Sequence, residues 1–97
     1  MEALHYSRSA EADLDEIAEY TIGAWGKAQS AAYIDELQDC CEMIARNPLL
    51  GRACDHLAPG LRRLEQRKHV IFYRLESKRV SIFRILHERR LPNFPTA

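Results

Sequence analysis

The chain has no apolar run approaching the length a bilayer span needs, and its first residues lack a basic stretch followed by an apolar one. A spanning helix and a secretory leader are both unsupported readings, so the cytoplasm is the expected compartment and no membrane partner is expected. Cysteine is scarce. There are three, an odd number, and Cys40 and Cys41 are neighbours inside a helical pattern. That argues against a disulfide framework, and Cys40 reads as a small apolar side chain. Cys54-Asp55-His56 offers two metal ligands, but no second pair at metal-site spacing follows, so no metal and no other cofactor is expected. Also missing are a glycine-rich phosphate loop and any serine or cysteine in a nucleophile context.

Positive charge is nearly absent from the first half. Residues 1–50 hold Arg8, Lys27 and Arg46 against ten acidic side chains, a net charge of −7. Residues 51–97 hold eleven basic side chains against Asp55, Glu65, Glu76 and Glu88, a net of +7, so the whole chain is formally neutral. Either these charges solvate two surfaces, or a compact fold presents a basic face to an anionic partner, nucleic acid or an acidic protein segment. The length of 97 residues, with 46% hydrophobic and 29% charged side chains, suits one ordinary globular domain over 1–97.

What is present is periodicity. Leu4-His5-Tyr6 is extended in character, and Ser7 and Ser9 offer helix N-caps. Ala10, Leu14, Ile17, Ala18, Thr21 and Trp25 then recur at three- and four-residue steps, which predicts one apolar helix face with Glu11, Asp13, Asp15, Glu16 and Glu19 mostly on the others. Gly23 and Gly26 bracket Trp25 as the helix end and turn. A second helix is expected over 27–46, with Tyr33, Leu37, Cys40, Cys41 and Ile44 as its stripe and Asn47-Pro48 as its stop. So short a turn between two amphipathic helices makes an antiparallel hairpin. A loop follows from Asn47 to Gly60. The period then changes to two, and Leu61–Gln66, His69–Leu75 and Val80–Leu86 read as strands, the last two joined through Glu76-Ser77-Lys78-Arg79. The tail after Leu91, with Pro92 and Pro95, reads as irregular.

The expected fold is therefore α+β in two layers, an N-terminal strand and helical hairpin packed on an antiparallel sheet. Along Val80–Leu86, strict alternation puts Ser81, Phe83 and Ile85 on one side and Val80, Ile82, Arg84 and Leu86 on the other. Along His69–Leu75, Ile71, Tyr73 and Leu75 oppose Val70, Phe72 and Arg74. Both faces are apolar while two helices cover one, so the second is expected to be wrapped by loops and tail or, preferably, covered by a partner. Arg62 and Arg63 open one strand, Arg84 lies in another, and His87 sits among Arg84, Arg89 and Arg90. Arginines on neighbouring strands are expected to converge into a phosphate-sized cluster, with His87 either a neutral general base or a strand-end histidine bonded to backbone. A complete acid–base set is not apparent. Only Tyr73 and Lys68 are offered for it.

The residues Ser7-x-x-Ala10-x-x-Asp13-Leu14-x-x-Ile17, Trp25-Gly26-x-x-Gln29 and Tyr33-x-x-x-Leu37 resemble the helical hairpin of ParE-type toxins, in the ParE/RelE superfamily. Asn47-Pro48-x-x-Gly51-Arg52-x-Cys54-Asp55, Pro59-Gly60-Leu61-Arg62-Arg63, His69-Val70-Ile71-Phe72-Tyr73-Arg74 and Arg84-Ile85-Leu86-His87 continue the resemblance in order, from about Tyr6 to Arg90. After His87, where ParE-like chains often continue Gly/Gln-Arg/Ser-Met-Asp, this chain departs with Glu88-Arg89-Arg90-Leu91-Pro92.

The resemblance implies the toxin of a bacterial type II toxin–antitoxin pair, silenced by a ParD-like antitoxin whose C-terminal segment folds across the hairpin and sheet. It implies inhibition of DNA gyrase by contact, with arrest of replication and growth. A RelE-like, ribosome-dependent, metal-free mRNA endonuclease using Arg62, Arg84 and His87 is the alternative, and an inactive toxin-fold remnant a third reading. On the first, Arg62, Arg63, Arg84, His87, Arg89 and Arg90 form the toxic surface. Tyr20, Trp25, Phe72 and Tyr73 are the aromatic anchors for the antitoxin, Trp25 being equally readable as core.

Overall fold

A computed structural model describes residues 3–90. The expectations for the tail after Leu91, and for Leu91-Pro92 in the departing segment, fall outside these residues. Seven elements follow in order: β1 (Leu4–Tyr6), α1 (Arg8–Trp25), α2 (Lys27–Arg46), β2 (Arg52–Ala53), β3 (Arg62–Gln66), β4 (His69–Glu76) and β5 (Arg79–His87). The two helices pack on one face of a five-stranded sheet ordered β1-β5-β4-β3-β2. The sheet is mixed rather than purely antiparallel, because β1 pairs parallel to β5. The hairpin carries the chain away and β5 returns beside its beginning, which makes that pairing a crossover connection. β2, a two-residue edge strand inside the segment expected to be loop, adds the fifth member.

Local chemistry explains the boundaries. Ser7 is the N-cap of α1: its Oγ accepts from Ala10 N at 3.0 Å and donates to Phe83 O at 2.7 Å, tying the helix start to β5. Gly23 lies inside α1, and Gly26 alone makes the joint, at φ 94°, a region closed to most side chains. The hairpin is fastened by a buried hydroxyl pair, Thr21 Oγ1 to Ser30 Oγ at 2.7 Å, each also bonded to α1 carbonyls. Between β4 and β5 the connection tightens to Ser77-Lys78, both left-handed (φ 47° and 64°), as a two-residue hairpin loop twisted with its strands requires.

Strict alternation fails in β5. The register slips between Phe72/Tyr73, so that Phe72 opposes Arg84 while Tyr73 opposes Ile82, leaving Phe83 as the inserted residue of a bulge. One extra residue flips every side chain after it. Val80, Ile82 and Ile85 therefore all join the core under the helices with Ile71, Tyr73, Leu37 and Ile44, while Phe83 and Leu86 go to the other side. That other face is covered from within. Cys54, Ala58 and Leu61 of the 54–61 loop pack on Val70, Phe72 and Leu86, and the loop is closed by Cys54 N to Leu61 O (2.8 Å) and Gly60 N to Asp55 Oδ1 (2.8 Å). The loop thus supplies the cover for which a partner chain was expected.

Two expected interface aromatics belong to these cores. Phe72 is 1% exposed and Tyr73 is 0% exposed. Tyr73 Oη donates to Pro48 O (2.8 Å) and accepts from Gly51 N (2.7 Å), pinning the segment that leaves α2. Gly51 is obligatory there, since a Cβ would lie 2.6 Å from that hydroxyl and 2.5 Å from Arg63 O. No helix among the described residues is long and apolar enough to cross a membrane.

Candidate functional site

The basic cluster foreseen from the sequence does not assemble, because most of its arginines have internal partners. Arg62 donates through Nε and Nη2 to Gly51 O at 2.9 and 2.6 Å. Arg63 lies over the Phe72 ring, 5.6 Å from its centre, and pairs with Glu65 at 3.0 Å. Arg84 makes a two-pronged bond to Asp13, Nε to Oδ2 at 2.8 Å and Nη2 to Oδ1 at 3.0 Å, and this bond raises the guanidinium's pKa above its ordinary value. Asp13, read from sequence as part of a solvated face, is 3% exposed and also accepts from Ile85 N at 2.9 Å. Arg62, Arg84 and His87 therefore do not surround a single phosphate-sized space.

A groove of about 640 Å³ opens instead between the later turns of α1, the start of α2, the β3–β4 turn and the end of β5. Of the predicted residues it gathers Tyr20, Trp25, His87 and Arg90. It adds Tyr33, Glu16, Arg67 and His69, which the sequence pattern does not assign to a site, and Lys68, offered there only for an acid–base set. Tyr33 had been read only as helix stripe, and its other end, the hydroxyl, was the available signal. A second hollow of about 370 Å³ adjoins across Trp25, Tyr33 and Arg67. Tyr20 is 73% exposed and Trp25 51% exposed, while the other aromatics among the described residues are buried or partly buried, so Trp25 stands as a ridge between two hollows rather than as core.

A row of four rings runs from the Trp25 ridge along the groove. Trp25 meets Tyr33 edge-on at 5.6 Å between centres, Tyr33 meets His69 at 5.4 Å, and His69 meets His87 edge-on at 5.4 Å. Tyr33 Oη and His69 Nδ1 share a hydrogen bond of 2.5 Å. The histidines come together because His69 and His87 are the last cross-strand pair of β4 and β5. Burial lowers the His69 pKa and the neighbouring His87 lowers it further, against an upward pull from Glu88, so His69 is neutral at pH 7. Burial also raises the Tyr33 pKa, which keeps its phenol protonated. His87 Nδ1 accepts from Arg89 N at 3.1 Å, the backbone-bonded strand-end arrangement.

Charge divides the groove lengthwise. Glu16 stands on the α1 wall, while Arg67, Lys68 and Arg90 stand on the opposite one. Two backbone bonds build that basic wall, Glu88 N to Lys68 O at 2.7 Å and Arg90 N to His87 O at 2.9 Å, folding the β5 end against the β3–β4 turn. Arg67 pairs across the surface with Glu36 at 3.0 Å. Lys68 and Arg90 have no ion-pair partner among the described residues. No group of three His, Cys, Asp or Glu side chains arranged to hold a metal occurs among the described residues, and Asp55 caps a loop amide instead.

Residues 4–92 match the family described as the ParE toxin of the type II toxin–antitoxin system, parDE. The chain is 44% identical over 88 residues to the toxin ParE1 of Caulobacter vibrioides, covering 91% of each. It is 40% identical over 84 residues to the toxin ParE1 of Mycobacterium tuberculosis, covering 86% of each. Among solved structures it superposes on a chain of the chromosomal ParDE TA system from P. aeruginosa with a TM-score of 0.77 at 24% identity, covering 90% of this chain and 96% of that one, which speaks to the fold. With the family match running from the first strand past the last, and two curated relatives above 40% or at it, the chain belongs to the ParE toxins of parDE type II toxin–antitoxin systems.

Proposed function

We propose that this toxin acts by contact, binding DNA gyrase in the cytoplasm and arresting replication, and that a ParD-like antitoxin silences it by laying a segment into the groove at Trp25. The observation that carries the reading is the exposed aromatic pair, Tyr20 and Trp25, flanking hollows lined by further rings. Large exposed aromatics beside an apolar groove are the anchors on which peptide-like segments dock, and a segment disordered when alone gains its order there. Family membership supports an antitoxin as the occupant, as does the fold shared with a chain of a ParDE system. Arg89, Arg90 and His87, at the exposed end of β5, are the part of the originally expected toxic surface still available to a target.

Contact rather than catalysis is favoured over the RelE-like reading by the arginines. A metal-free nuclease needs cations converging on the scissile phosphate, and here Arg62 and Arg84 are engaged by Gly51 O and Asp13. Purified toxin added to gyrase should suppress supercoiling, and the antitoxin should restore it, while translating ribosomes exposed to the toxin should show no codon-specific mRNA cuts. Cut mRNA with unimpaired gyrase would reverse the assignment. Unimpaired growth on inducing the toxin alone would favour the inactive remnant.

A further inference from the structure

Resting on the reading that the groove receives the antitoxin, we infer that its two walls select an occupant with carboxylates along one flank only, the flank that faces Lys68 and Arg90. Those two cations project from turns that fold together at the groove's rim, and neither has an anionic partner within the described chain. A lone pair of cations on a rim adds little to the toxin's own fold, and an occupant's carboxylates are the complement they lack. The neighbouring cation Arg67 is already opposed by Glu36, so among the cations that line the groove the unmatched charge is on Lys68 and Arg90.

The facing wall explains why the occupant is a peptide and not a nucleic acid. Glu16 lines the groove from α1, and Glu11, Asp15 and Glu19 are exposed on the same helix. A nucleic-acid strand carries a charge at every step and would bring phosphates against this acidic helix wherever it satisfied the basic rim. A peptide can keep its acids on one side, present a neutral or cationic side chain to Glu16, and seat apolar groups in the hollows on either side of Trp25. The split of the whole sequence into an acidic and a basic half thus reappears in the lining of one groove.

The test uses the full chain and the antitoxin encoded in the adjacent reading frame, with affinity measured by titration calorimetry at several salt concentrations. Lys68→Glu/Arg90→Glu should weaken binding on the order of 10- to 100-fold and flatten its salt dependence. Trp25→Ala should weaken binding whichever way the walls are read. If Trp25→Ala weakens the complex and the double charge reversal stays within threefold of wild type with an unchanged salt slope, the flank selection is wrong while the groove reading survives. If Trp25→Ala also binds as wild type, the groove is not the antitoxin site and both fall. A 12-nucleotide single-stranded RNA serves as the competing probe. Tight binding of that RNA, abolished by the same charge reversal, would overturn the assignment to a peptide. Unchanged circular dichroism melting of each variant confirms that the toxin is folded, and both reversed residues are exposed.

Discussion

Replacing Asp13 by asparagine keeps the shape of the side chain but removes the charge from a carboxylate that accepts three hydrogen bonds, from Arg84 Nε, Arg84 Nη2 and Ile85 N. Asparagine has one accepting oxygen, and its NH₂ would point a donor at a donor. Breaking a buried ion pair from one side costs about 3–5 kcal/mol, most of it from the charge left behind. Arg84 keeps roughly a third of its side chain in solvent, which screens that charge, so a cost of about 2–3 kcal/mol is expected. For a domain of this size that is a large fraction of the roughly 5–15 kcal/mol available, and it lowers Tm by roughly 10–20 °C. Urea unfolding followed by far-UV circular dichroism measures it directly. Removing both charges with Asp13→Leu/Arg84→Met should recover part of the loss, since an apolar pair leaves no orphaned ion, and the cycle should give a coupling above about 1 kcal/mol. An Asp13→Asn protein within about 0.5 kcal/mol of wild type, or an additive cycle, would refute the claim that this pair clamps α1 to β5.

The β4–β5 turn holds two non-glycine residues at positive φ, so Ser77→Asn/Lys78→Gly should raise stability by about 1 kcal/mol, visible as a higher urea midpoint at unchanged slope. His69 has a folded pKa below its ordinary value of roughly 6.5, first through burial and then through His87, so between the two values the unfolded chain binds more protons. Its contribution is complete above that ordinary value and is lost as pH falls through the folded one. Wild type should therefore lose stability between pH 7 and pH 5, and His69→Gln should lose less of it over the same range. Burial raises the thiol of Cys41 to about 12, and both Cys41 and Cys54 are enclosed, so iodoacetamide at pH 8 should label native protein only slowly and at Cys40. Labelling of Cys41 or Cys54 before unfolding, read by mass spectrometry, would contradict the packing.

Helix periodicity, the Ser7 cap and the three long strands were legible because each rests on neighbours in the sequence. What escaped were features set by contacts far along the chain. The bulge at Phe83 depends on how β5 meets β4, and no residue in Val80–Leu86 announces it, yet it reverses the face of everything that follows. The same non-locality misassigned the charges. Asp13 lies 71 residues from Arg84, and nothing in the spacing of the acidic residues on α1 distinguishes it from Asp15 or Glu16. Aromatic type alone separated no anchor from core, since Phe72 and Tyr73 are enclosed while Trp25 and Tyr20 are not.

The opposed charges of the two halves therefore do two kinds of work, divided by burial. Where a buried acidic residue of the hairpin meets a basic residue of the sheet, as in Asp13 with Arg84, the attraction is satisfied inside the fold and ties α1 to β5. Where the halves line the same open groove, as Glu16 does with Lys68 and Arg90, the opposition is not satisfied within the fold. Inward pairing also keeps Arg84 away from Arg62 and His87, since a guanidinium held through two of its nitrogens on a buried carboxylate cannot turn to a phosphate without leaving that carboxylate's charge uncompensated. The clamp that holds the hairpin on the sheet and the dispersal of the expected arginine cluster are thus one structural fact.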